Sequence, residues 1–112
     1  MKKSTIYHNP KCSKSRQTLA LLQSKGVDLE VIEYLKTSLN LEQLKTLRAH
    51  FSLKDFVRID EAVFKTLGLS LDNEEQIMQA MVQEPILMQR PIVTCKGKAV
   101  IARPPEKVLG LL

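Results

Sequence analysis

The chain has 112 residues and a mass of 12.7 kDa, the size of one ordinary domain and too short for two cores with a linker, so a single domain over residues 1–112 is expected. Its 44% hydrophobic and 26% charged residues exclude a disordered, collagen-like or low-complexity chain, and no apolar stretch approaches the roughly 20 residues that a membrane-spanning helix needs. Seventeen Lys+Arg against twelve Asp+Glu give +5 and favour anionic partners; the basic residues are scattered and aromatics are only 4%, which makes nucleic acid a minority reading.

Met1-Lys2-Lys3 leads straight into a strand-like segment instead of a long apolar signal region, so a cytoplasmic monomer with no membrane partner is expected. Ser4 to His8 is β-prone, and Asn9-Pro10 ends it, because a residue before proline is pushed out of the helical region. Ser13 to Lys25 reads as a helix, with Leu19 and Leu22 on one face and Gly26 free to take a left-handed cap. Val27 to Val31 alternates with period two and Ile32 to Leu35 continues the β-rich stretch, giving a second strand. Strand, helix and strand in that order imply a right-handed crossover and a parallel pair.

Helices are expected next. Asn40 with Gln43 forms a capping-box variant before Leu41, Leu44 and Leu47, and Ser52 with Asp55 opens another short turn. Asp60 to Leu67 carries Val63, Phe64 and Leu67 and closes at Gly68, and Asp72 or Asn73 caps a segment holding Ile77, Met78, Met81 and Val82 that Pro85 terminates. Met78, Met81 and Met88 read as core filling. Ile92 to Cys95 and Ala99 to Ala102 flank Lys96-Gly97-Lys98 as a hairpin, and Pro104-Pro105 opens a final helix to about Leu111. The order β-α-β, helical block, β-β-α is an α/β layout: a thioredoxin-like fold, a three-layer sandwich with a mixed four-stranded sheet and a helical insertion between its halves.

Of the two cysteines, Cys12 and Cys95, both are expected to be reduced, and a disulfide scaffold is excluded. Cys12 lies between a strand end and a helix start, where unpaired N–H groups and the helix dipole favour an anion. Lys11, Lys14 and Arg16 add positive charge, so its pKa should fall below the unperturbed ~8.5 and leave a nucleophilic thiolate near neutral pH. Burial as a small hydrophobe is the competing reading, and it suits Cys95, in a β-run beside a turn, better than Cys12. Ser15 takes the second position of a Cys-x-x-Cys pattern, so any disulfide cycle must finish with an external thiol. His8 either supports the loop near Cys12 or is merely structural, and His50 meets the last carbonyls of its helix or solvent. No metal site is expected.

The stretch from His8 to Leu19, preceded by Tyr7 and carrying His8-Asn9-Pro10, Cys12 and Ser15-Arg16, resembles the glutathione- and glutaredoxin-dependent arsenate reductases, the ArsC-like family. Val57-Arg58 with Leu67-Gly68-Leu69, Pro85 to Val93, and Ala102 to Pro105 are similar to three further blocks of that family, in the same order. The resemblance implies Cys12 as nucleophile, Arg58, Arg90 and Arg103 as the arginines that hold the oxyanion, and His8, Ser15, Arg16 and Pro91 in support; the proline before the hairpin in thioredoxin-like folds is usually cis, which makes Pro91 a candidate for a cis bond and leaves its isomer open. It also implies no bound cofactor, glutathione as co-substrate and glutaredoxin as partner. Taken singly, each arginine reads as a solvated surface residue, Arg58 most of all. Two other functions fit the same fold: a regulator resembling the Spx proteins that bind RNA polymerase, which Ser15 disfavours, and a glutaredoxin-like thiol oxidoreductase, which needs Cys12 but not the arginines.

Overall fold

The computed structural model describes residues 3–112; Met1 and Lys2, on which the reading of the N-terminus partly rests, lie outside the described residues. These residues form two compact units, one running to Thr37 and again from Arg90 to Leu112, the other from Ser38 to Gln89.

The first unit contains β1 (Lys3–Tyr7), α1 (Ser13–Ser24), β2 (Asp28–Ile32), β3 (Ile92–Cys95), β4 (Lys98–Ile101) and a closing 3-10 helix, Pro105–Leu111. Its strands make one sheet in the order β2-β1-β3-β4. β1 runs parallel to β2, with Ile6 opposite Val31, and antiparallel to β3, with Ile6 opposite Val93. β3 and β4 form the expected hairpin, but Lys98 pairs with Cys95 inside β4 and leaves a two-residue turn, Lys96 and Gly97, both with positive φ (53° and 75°), as a turn matched to strand twist requires. The result is the mixed four-stranded sheet of a thioredoxin-like α/β fold.

β2 stops at Ile32, short of the expected Leu35, for a visible reason. β1 ends at Tyr7, directly opposite Ile32, and the last link is the His8 N–H donating to the Ile32 carbonyl at 2.8 Å. Glu33 onwards has no strand to pair with, and the Lys36 and Thr37 N–H groups turn back to the Glu33 carbonyl at 3.0 and 2.9 Å. One face of the sheet is sealed by Ile6, Leu22, Val93, Ala102 and Val108, all fully buried, which join β1, α1, β3, the end of the hairpin and the 3-10 helix in one apolar cluster. Cys95 is buried in β3, as its β-run context implied.

The second unit is the helical insertion: α2 (Leu41–Arg48), α3 (Leu53–Phe56), α4 (Ala62–Thr66) and α5 (Glu74–Gln83), followed by a 3-10 turn over Pro85–Leu87. The capping box forms in full, with the Gln43 N–H donating to Asn40 Oδ1 at 2.8 Å and the Asn40 N–H to Gln43 Oε1 at 2.9 Å. Asn73, not Asp72, caps α5 by accepting from the Gln76 N–H. Met78, Met81 and Met88 are all buried in this unit's core. α4 departs from expectation: it is one turn long and buries none of its residues, and Leu67 beyond it is exposed. Among the described residues, no helix is long and apolar enough to cross a membrane.

Because Leu22 anchors α1 and hence the start of that helix at Cys12, Leu22→Ala is expected to cost about 2–5 kcal/mol of stability through the cavity it leaves. Urea unfolding should show a lower midpoint with an unchanged slope.

Candidate active site

Cys12 is the N-cap of α1. Its backbone is extended (φ −95°, ψ 123°), and no acidic residue sits in the first turn to compete with a negative sulfur. The preceding loop is built by hydrogen bonds that the Asn9-Pro10 pair makes natural. The Cys12 N–H donates to the Asn9 carbonyl at 3.0 Å, closing a turn with proline at its second position, and the Lys11 N–H donates to Asn9 Oδ1 at 3.0 Å. Arg16 Nη1 donates to the Pro10 carbonyl at 2.9 Å, so this cation secures the loop. Asn9 is thus a structural residue of the site that the sequence reading passed over; an asparagine heading a proline turn was the available signal.

Ser15 is fully buried, and its hydroxyl joins three parts of the loop. Its Oγ accepts from the Asn9 N–H at 3.0 Å and lies 2.6 Å from His8 Nδ1. Burial holds the His8 pKa below the ordinary histidine value, with Glu33 opposing and Arg16 reinforcing, so the ring is neutral at neutral pH. Depending on the ring tautomer the Ser15 hydroxyl gives its hydrogen to Nδ1 or accepts one from it, while an oxygen lone pair serves the Asn9 N–H. A hydroxyl meets both demands in this space, where a thiol would be a weaker partner to each.

The Cys12 thiol is half-buried. Burial alone would raise its pKa, but the Ser15 N–H, the hydrogen bond and charge of the Arg90 guanidinium, and the Lys14 N–H together hold it below the ordinary thiol value of 9.0. The charge responsible is therefore that of Arg90, delivered from just before β3. Lys11 and Lys14, expected to act through their cationic side chains, have those side chains in solvent; Lys14 contributes through its backbone. The Arg90–Pro91 bond is cis, and so is Arg103–Pro104. Pro91 is buried, and Arg103 Nη1 donates to the Arg90 carbonyl at 3.1 Å. The first unit thus gathers Cys12, Ser15, His8, Arg16, Arg90, Pro91 and Arg103. Arg58 lies in the second unit beside the Val57–Met88 bridge, its backbone N–H on the Leu87 carbonyl and its Nε 3.2 Å from Glu61 Oε1. His50 is exposed next to Phe51 and has no part here.

A thioredoxin-like sheet with a cysteine of lowered pKa at the start of its first helix, no second thiol in the turn and arginines at the mouth of the β3–β4 hairpin defines a thiol protein whose site favours anions. The family model described as "ArsC family" matches residues 7–111, and the chain belongs to that family. It is similar to an uncharacterized protein of Escherichia coli, 47% identical over 99% of this chain and 98% of that one. An arsenate reductase of Neisseria meningitidis is 39% identical over 96% of each chain. Among solved structures, an arsenate reductase from Vibrio cholerae matches with a TM-score of 0.91 and 44% identity over 99% of this chain and 98% of that one.

Arg90→Ala is expected to move the midpoint of Cys12 alkylation with iodoacetamide to higher pH, toward that of a free thiol. Since the folded-state pKa is lowered, the ionised thiol contributes fully to stability above the ordinary value of 9.0 and loses that contribution as pH falls through the folded value. Denaturation midpoints of the native protein and Cys12→Ser should therefore draw together on acidification through that range.

Proposed function

We propose that this protein is an arsenate reductase that works through a covalent Cys12–arsenate adduct, with glutathione and glutaredoxin as electron donors. The observation that carries this reading is the Cys12 sulfur, its pKa lowered by the Ser15 N–H, the Arg90 guanidinium and the Lys14 N–H, at a helix start that lacks a second thiol. Membership of the ArsC family, and relatives that bear the name arsenate reductase, support it.

Arsenate is already anionic near neutral pH, and thiolate attack brings more negative charge to arsenic, so the adduct needs cationic donors placed in advance. Arginine suits this because it stays charged and presents paired donors to neighbouring oxygens. Arg90 and Arg103 supply them in the first unit, and Arg58 is the third arginine that the family resemblance assigns to the oxyanion. The Cys12 thiolate attacks arsenic; an arsenic–oxygen bond breaks and the oxygen leaves, protonated, as water. A glutathione thiolate then attacks the Cys12 sulfur. The sulfur–arsenic pair passes to arsenic, reducing it by two electrons, and arsenite departs. Glutaredoxin thiolate takes the glutathionyl group from Cys12 and restores its thiolate, a step that Ser15 cannot perform.

Cys12→Ser is expected to abolish arsenate reduction coupled to glutathione and glutaredoxin; retained turnover would refute the scheme. Arg90→Ala, assayed where Cys12 is ionised in both proteins, should lose arsenate reduction while keeping reactivity toward a glutathione mixed disulfide. Retention of both activities would instead favour a general thiol oxidoreductase.

A further inference from the structure

Arg103 makes a hydrogen bond that oxyanion binding does not call for. Its Nη1 donates to the backbone carbonyl of Arg90 at 3.1 Å, across the base of the β3–β4 hairpin. Just inside this bond, the Ala102 N–H donates to the Pro91 carbonyl at 2.9 Å. Pro91 and Pro104 have no N–H, and the Gln89 N–H, next in line opposite Pro104, donates instead to the Phe56 carbonyl at 2.8 Å, so the backbone ladder does not continue outward past Ala102. The Arg103 N–H is itself turned to the Ile101 carbonyl at 2.9 Å. At this edge the side chain of Arg103 supplies the cross-strand bond that the main chain lacks. The residue so held is Arg90, whose guanidinium bonds the Cys12 sulfur.

We infer that Arg103 is a positioning residue for the thiolate: by gripping the Arg90 carbonyl, it fixes the main chain from which the Arg90 guanidinium reaches Cys12. A guanidinium has five N–H donors, so this bond leaves others to meet an anion. The role concerns the sulfur before any substrate arrives and holds whether or not arsenate is the electrophile.

Arg103→Met removes both donors and charge from an exposed side chain while keeping its apolar stem. In oxyanion-free buffer, the midpoint of Cys12 alkylation against pH is expected to rise by roughly half a pH unit, an about threefold smaller thiolate fraction near neutral pH. The rise should persist in about 1 M potassium chloride, where charges are screened beyond about 3 Å. Arg103→Lys, with one charge and fewer donors, should recover most of the native midpoint. An unchanged midpoint in Arg103→Met would overturn the inference, and so would a rise that vanishes in high salt, which would mark a through-space charge effect. Because no arsenate is present, a protein that proved unable to reduce arsenate would still answer this question, and the two failures stay distinct.

Discussion

A half-buried sulfur whose pKa is lowered in spite of its burial is the constraint on which the site turns. Desolvation opposes the thiolate, and only groups fixed in place before the proton leaves can reverse that penalty. The chain uses two kinds of fixed group. The start of α1 presents the Ser15 and Lys14 N–H groups, unpaired because a helix has no earlier turn to receive them, and the base of the hairpin presents the Arg90 guanidinium. The first is local to Cys12; the second exists only because β3 pairs with β1 and returns residue 90 to the end of the strand that leads into the loop.

The same loop gives the residue at position 15 a structural task that a thiol would perform less well. Ser15 stands where a resolving cysteine would, and its hydroxyl is engaged by His8 and Asn9 within a fully buried space. The hub locks the strand end to the first turn of the helix, which keeps the Ser15 N–H directed at the sulfur. No thiol stands at position 15 to form a disulfide with Cys12, whose sulfur is half-exposed.

Legibility in the sequence varied with the range of the interaction. Asn40 with Gln43, the Lys96-Gly97 turn and the start of α1 were readable because caps and turns are decided within a few residues. The end of β2 was not, since the Glu33–Leu35 stretch is as β-prone as a strand, and only the end of its partner β1 at Tyr7 stops the ladder. α4 was over-read for a related reason: Val63, Phe64 and Leu67 have helical spacing, yet tertiary structure gives that helix no buried residue. The three cations nearest Cys12 in sequence misled in the same way, because Lys11 and Lys14 extend into solvent and Arg16 is bound to Pro10.

By itself the sequence determined the order of elements, the sheet class, a cysteine at a helix start and the absence of a partner thiol at position 15, all set by local preference and by residue chemistry. Only the tertiary structure decided which cation reaches the sulfur, that Ser15 ties His8 to Asn9, and that Arg103 holds the Arg90 carbonyl. These are contacts between chain segments whose separation in sequence carries no signal of their distance, and a charge acts on a thiol only through that distance.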